Sequence, residues 1–175
     1  MDNDLGQIVD ALPGLVWTAH PDGSVEFLNA RWLEYTGLTR DDVSTVGWES
    51  VIHVDDLAKV LTTWESICTS GKLGEMEARL RRHDGQYRWF SFRASPILNA
   101  LGEVIRWYGI NTDIQDRRAA EEAQFATEER FRMIVEGLPA LVTLMSPAGE
   151  LEFANRHVLE YFGVRFLCAT RPVTS

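Results

Sequence analysis

Two spacings of apolar residues alternate along the chain. Over residues 56–70, Leu57, Val60, Leu61, Trp64, Ile67 and Cys68 recur at the i, i+3, i+4, i+7 positions of a helix with one buried face. The pattern predicts a helix Asp56–Ser70, with Asp55 as its N-cap and Gly71 placed to stop it. From Glu75 to His83 the period drops to two. Met76, Ala78 and Leu80 fall on one side of a strand, and Glu77, Arg79 and Arg81 on the other. Asp84-Gly85 is a hairpin turn signal, the aromatic-rich run Tyr87–Leu98 is a long strand, Asn99–Gly102 is a second turn and Val104–Thr112 is a third strand. Three strands joined by tight turns make an antiparallel meander.

The same logic applies upstream. Leu15–His20 and Ser24–Leu28 are short apolar runs on either side of Pro21-Asp22-Gly23. In that turn Pro presets φ and Gly accepts positive φ, so the pair forms a β-hairpin. Asn29 is an N-cap for a short helix Ala30–Thr36 that Gly37 ends. Thr39-Arg40-Asp41-Asp42 starts another helical turn, and Trp48–Ile52 follows as an apolar segment. The expected class is α+β: a five-stranded antiparallel sheet with helices on one face, inserted after the second strand. The longest helix candidate is Asp113–Pro139, which has no Gly or Pro until Gly137 and is rich in Ala, Glu, Arg and Gln.

That helix separates two copies of one passage. Residues 9–37, VDALPGLVWTAHPDGSVEFLNARWLEYTG, match residues 135–163, VEGLPALVTLMSPAGELEFANRHVLEYFG, at a constant offset and without a gap. The identities include Leu12/Leu138, Pro13/Pro139, Gly23/Gly149, Phe27/Phe153, Asn29/Asn155, Tyr35/Tyr161 and Gly37/Gly163, about half of all positions. Such a spacing is too long for a solenoid unit and reads as tandem domains, the second incomplete. The organisation expected is a tail over 1–8, a domain over 9–112, a connector helix over 113–137, a partial second domain over 128–163 and an atypical tail over 164–175. The tail carries no acidic residue; a truncated end, a frame-shifted end and a natural terminus stay open as alternatives. A lone two-stranded hairpin is marginal in water, so the second copy is not expected to fold independently.

Composition narrows the function. The formal charge of −9 argues against nucleic acid as a partner, since backbone binding needs clustered Lys and Arg. The one dense basic spot, Arg79-Leu80-Arg81-Arg82-His83, reads as a solvated strand face and its turn. No apolar run approaches a membrane span and the N-terminus has no apolar signal region, so a cytoplasmic location is the expectation. Cys68 and Cys168 form no metal or disulfide framework, and Cys68 reads as a small core residue. Phosphate-loop, dinucleotide, nucleophile-elbow and zinc-protease motifs are all missing, and none of His20, His53, His83 and His157 sits in a phospho-accepting context. His53 with Asp55 and Asp56 reads as helix capping, the carboxylates facing the helix dipole, rather than as a metal cluster.

The order and spacing of three passages, LPGLVWTAHPDGSVEFLNARWLEYTG, HVDDLAKVLTTW and EARLRRHDGQYRWFSFRASPILNALGEVIRWYGINTDIQDRR, resemble a PAS domain with its C-terminal PAC motif. The subclass is the one common in bacterial sensor histidine kinases and cyclic-di-nucleotide regulators. The resemblance covers residues 9–118 and, as a partial second copy, 128–163. Two positions depart from it: Val54 stands where the family commonly has Pro, and Gln115 where it commonly has Thr, at the strand-to-helix junction that the family uses in signalling.

The resemblance implies a sensory and dimerisation module whose output lies in a longer parent, a histidine kinase of a two-component phosphorelay, with no catalytic residue in this chain. The alternatives are a small-molecule receptor domain and a regulator of a cyclic-di-nucleotide enzyme. It also implies a cavity between sheet and helices, here walled by Trp32, Trp48, Ile52, Leu57, Leu61 and Trp64, with Ala78 and Leu80 from the sheet. Flavin-adduct chemistry is disfavoured because the reactive-cysteine helix is absent and Cys68 comes too late; His-ligated haem is disfavoured because residues 56–70 hold no His. A packed, ligand-free core is favoured over an unidentified bound small molecule. Thr112, Asp113, Ile114 and Gln115 are the expected transmission residues. The connector's apolar positions, Ile114, Ala119, Ala123, Ala126, Phe131, Ile134, Val135 and Leu138, form an irregular stripe suited to a parallel homodimer, and Arg117–Glu121, Arg118–Glu122 and Glu128–Arg132 are spaced as i,i+4 pairs.

Overall fold

A computed structural model describes residues 9–163; both expected tails, and Cys168 with them, lie outside the described residues. The chain divides into two compact units, one up to Arg118 and one from Ala119.

The first unit opens with β1 (Leu15–Ala19) and β2 (Val25–Leu28), antiparallel about the Pro21–Gly23 turn. Helix α1 (Ala30–Thr36) follows, capped by the Asn29 side chain and closed by Gly37 at φ 74°. Helix α2 (Arg40–Val46) starts on a reciprocal capping box between Thr39 and Asp42. The apolar segment after it is a 3-10 turn, Trp48–Val51. Helix α3 (Val54–Ser70) begins two residues before the predicted start. Its N-cap is His53, whose Nδ1 accepts from Asp55 N, so Asp55 lies inside the first turn and is not the cap.

The meander consists of β3 (Gly74–Arg81), β4 (Tyr87–Leu98) and β5 (Val104–Asp113). The sheet order is β2-β1-β5-β4-β3, so the first hairpin joins the meander by antiparallel pairing of β1 with β5. The inward positions follow the period of two: Leu15, Trp17 and Ala19 on β1, and Ala78 and Leu80 on β3, are all buried. With Phe90, Phe92, Ala94 and Trp107 they form the sheet side of one core, which α1 and α3 cover with Trp32, Val60 and Ile67.

β5 runs into the long helix α4 (Gln115–Gly137). The division between units falls after Arg118, one turn into that helix, because its first turn is fastened to the sheet. In the second unit β6 (Thr143–Met145), β7 (Leu151–Ala154) and α5 (Arg156–Phe162) repeat the opening hairpin and short helix. The repeat extends to single bonds. Asn29 accepts from Val16 N and Trp32 N and donates to Val9 O and Gly14 O. Asn155 accepts from Val142 N and Val158 N and donates to Val135 O and Ala140 O. Leu144, Met145, Leu151 and Phe162 stay exposed, as expected of a hairpin and helix without the rest of a sheet. No helix among the described residues is long and apolar enough to cross a membrane.

Candidate functional site: an aromatic cavity and a strand-to-helix junction

The inner face of the sheet and the helices enclose an apolar cavity lined by Trp17, Val25, Leu28, Trp32, Trp48, Trp64, Met76, Phe92 and Asn111. It leaves about 30 Å³ for a water-sized occupant, room for one or two waters. The aromatic walls are locked edge to face. Trp17 and Trp64 meet at 5.4 Å and 87°, and Trp64 and Trp107 at 5.6 Å and 68°. The side chain of Asn111 on the wall is in use: Trp17 Nε1 donates to Asn111 Oδ1 at 2.8 Å. Trp64 Nε1 donates to Gly23 O at 3.1 Å, which pins the first hairpin's turn to α3. Cys68 lies beside the same turn, and burial pushes its thiol pKa up, away from the reactive thiolate.

Of the residues expected to wall this cavity, Trp32, Trp48 and Trp64 line it. Ile52, Ala78 and Leu80 are buried but outside the lining; Ile52 and Leu80 bridge each other across the sheet edge instead. Leu57 packs on the core's margin and Leu61 is half-buried, both also outside the lining. Trp17, Val25, Leu28, Met76, Phe92 and Asn111 were not expected there. Leu15–His20 and Tyr87–Leu98 were expected as strands, but the place of Trp17 and Phe92 opposite α3 depends on the sheet order.

The acidic and basic groups beside α3 have a different use from capping alone. Asp56 accepts from both the backbone N and the Nε of Arg79, and Arg79 Nη2 also reaches Asp55 at 3.2 Å. Hydrogen bonding from Arg79 holds the Asp56 carboxyl below its ordinary pKa. The Arg79 guanidinium lies 5.4 Å from the Trp89 ring centroid. Within this basic stretch Arg79 is therefore a clamp between α3 and β3, while Arg82 pairs with Asp84 in the turn.

The second feature is the junction of β5 and α4. Asp113, the last residue of β5, sits opposite Phe90 of β4. Arg88 Nε donates to Asp113 Oδ2 at 2.6 Å, and Arg88 Nη2 reaches Asp116 Oδ1 at 3.0 Å. The Asp113 carboxylate also accepts from Gln115 N at 2.9 Å, so one group binds the neighbouring strand and opens the helix. Ile114 is buried and its N–H donates to Trp89 O. Gln115 Oε1 then accepts from Trp89 N at 3.1 Å, extending the β4–β5 ladder by one side chain into the helix. Thr112 is exposed and sits in register with Ser91. One turn on, Arg118 donates to Glu77 at 2.8 Å and stacks 4.2 Å from the Trp89 centroid, and Arg117 also reaches Glu77. Arg88, Trp89, Glu77, Asp116 and Arg118 were missed at this junction, because nothing local ties residues of β3 and β4 to a helix that starts after β5.

Beyond this turn, Ala119, Ala123, Ala126, Phe131 and Ile134 of α4 are exposed, whereas Ile114 is buried in the first unit and Val135 in the second.

Comparison with known proteins bears on the fold of both units. A family model described as PAS fold matches residues 25–111, and one described as PAS domain matches residues 129–173. The chain is 34% identical over 86% of its length to "Uncharacterized protein y4lL" of Sinorhizobium fredii, of which it spans 18%. It is 34% identical over 90% of its length to "Peroxide stress-activated histidine kinase mak1" of Schizosaccharomyces pombe, of which it spans 10%. Among solved structures, a sensory box histidine kinase/response regulator from Burkholderia thailandensis superposes with a TM-score of 0.54 at 23% identity. That match covers 76% of this chain and 99% of the other.

Proposed function

Because the chain belongs to the PAS-domain family, we propose that its first unit is a sensory module whose state passes through α4 to an output domain in a longer protein. The output proposed is a histidine kinase acting in a phosphorelay, with these residues contributing no phosphotransfer chemistry of their own. The single observation carrying the reading is the Asp113 carboxylate, which holds Arg88 of β4 and the first amide of α4 at once. A change in the sheet therefore acts on the helix start without an intermediary. The fastening is also weak enough to release. Arg88 and Asp113 are each about a third exposed, and such ion pairs are worth ~0–1 kcal/mol apiece. Small residues on the exposed face of α4 suit close approach of a second copy, and a parallel homodimer through this helix is part of the proposal.

The test is autophosphorylation of the parent protein with Asp113→Ala, checked for folding by tryptophan fluorescence. Losing the ion pair and the bond to the first amide removes about 1–2 kcal/mol of fastening, which corresponds to a change of roughly 5- to 30-fold in the rate. An unchanged rate in a folded variant removes the reading's main support.

A second reading, a small-molecule receptor, rests on the aromatic cavity. In this conformation the cavity suits a very small apolar occupant; a flavin or haem fits only if the walls part. The purified protein is expected to show no absorption band between 350 and 500 nm, and a flavin or haem band there overturns this part of the proposal.

A further inference from the structure

Helix α1 touches both features of the first unit. Trp32 is buried and lines the aromatic cavity. Tyr35, at the i+3 position, lies on the same side of the helix and packs further along the sheet. Its ring meets Phe90 edge to face at 5.0 Å, and Phe90 is the register partner of Asp113. Tyr35 and Asp113 line one cleft, together with Arg82 and His83. The backbone closes the same corner, since His83 N donates to Tyr35 O at 2.8 Å.

The Tyr35 hydroxyl is sealed from solvent and has no hydrogen-bond partner. Buried hydroxyls are nearly always paired, so an orphan of this kind is a standing penalty on the conformation that contains it. Its surroundings are ionic. Asp113 and Arg88, already paired with each other, act on it, as do Arg82 and Asp84, which are also paired. Burial first, and then the Asp113 charge, push the phenol pKa up to about 12. Across the physiological range the group is thus a neutral donor lacking an acceptor, among carboxylates that arginines occupy.

We propose that Tyr35 relays the state of the cavity to the junction: in a second conformation its hydroxyl donates to the Asp113 carboxylate in place of Arg88. The proposal rests on the reading that the Asp113 junction transmits the state of the domain. A shift of α1 driven from the Trp32 side carries Tyr35 with it, because both side chains ride on one two-turn helix. The new bond satisfies the orphan donor, and Arg88 keeps only Asp116, an exposed residue in the first turn of α4, as its partner at the junction. The exchange swaps one hydrogen-bond donor for another on a single carboxylate and needs no titration. It gives the helix two discrete fastenings, which a switch requires.

A double-mutant cycle on the 175-residue chain, unfolded in urea and followed by tryptophan fluorescence, tests this. Tyr35→Phe alone is expected to leave the unfolding equilibrium constant unchanged or to favour the folded state, because the oxygen removed has no partner. In an Arg88→Gln background the freed Asp113 recruits the hydroxyl, and the same change is expected to favour unfolding by about tenfold. An additive cycle overturns the proposal, as does a marked loss from Tyr35→Phe alone. If Arg88→Gln does not fold, hydrogen exchange of the amides of residues 115–118 replaces the cycle. Loss of the hydroxyl is then expected to slow their exchange about tenfold, and equal rates in wild type and Tyr35→Phe overturn the proposal. The two levels fail separately. An additive cycle with an Asp113→Ala effect on output removes only the relay. A coupled cycle with no such effect removes the transmission reading and leaves the Tyr35–Asp113 contact standing.

Discussion

Replacing Asn29 with Ala is expected to destabilise the first unit by about 3 kcal/mol. The side chain is fully buried and makes four bonds, accepting from Val16 N and Trp32 N at 3.1 Å each and donating to Val9 O and Gly14 O at 3.2 Å each. Loss of an N-cap accounts for ~1 kcal/mol. The groups left behind on β1 and on the segment before it have little access to water, and orphaned polar groups of that kind cost ~1–3 kcal/mol. A domain of this size loses roughly 4–8 °C in Tm per kcal/mol, so a fall of roughly 12 °C or more is expected. All six tryptophans lie in the first unit, so their fluorescence during thermal or urea unfolding reports on that unit alone. Asn29→Ser restores an acceptor at the cap and should recover ~1 kcal/mol. Asn155→Ala removes the same four-bond set from the second unit and should leave the tryptophan transition in place. A loss below ~1 kcal/mol for Asn29→Ala would refute the argument, because the cap alone accounts for that much.

Three further outcomes follow from the structure. Arg82 holds the Asp84 carboxyl down at about 2, and Arg79 lowers that of Asp56. Depressed folded-state values add stability that is complete above the ordinary carboxyl value of 3.8 and lost as pH falls toward about 2. The urea midpoint should therefore decline across that window, and Asp84→Asn should flatten the decline; an identical pH profile for the variant would contradict the assignment. At Gly109 a methyl group would run into the Trp17 ring and lie 2.5 Å from Arg93 O. Gly109→Ala should cost ~1–3 kcal/mol in a urea titration, and wild-type stability would show that β1 and β5 part easily. Light scattering should find the chain dimeric, and Ala123→Glu together with Phe131→Glu should make it monomeric. A wild-type monomer at every concentration would sink the dimer proposal.

Much of this architecture could be read from short stretches of sequence. Asn29 and Gly37 bound α1 as their side-chain chemistry dictates, since a cap acceptor and a left-handed glycine act within one helical turn. The alternation of Met76, Ala78 and Leu80 against Glu77, Arg79 and Arg81 assigned the faces of β3, because side-chain direction in a strand is fixed by parity alone. The repeat was legible for the same reason: both copies carry the same local signals at the same spacing. The start of α3 was displaced because His53, a less common cap, supplied the acceptor ahead of Asp55.

What the tertiary structure decided was which of these pieces meet. Pairing of β1 with β5 put Trp17 opposite α3 and made it, rather than Leu57 or Leu61, a wall of the cavity. Pairing of β4 with β5 brought Arg88 to Asp113 and Trp89 to Gln115 and Arg118. Periodicity and turn chemistry act over a few residues and so are written in the sequence itself. Strand order and register are set by long-range hydrogen bonding and by the joint burial of faces distant in the chain, so the contacts of this junction exist only once the sheet is closed.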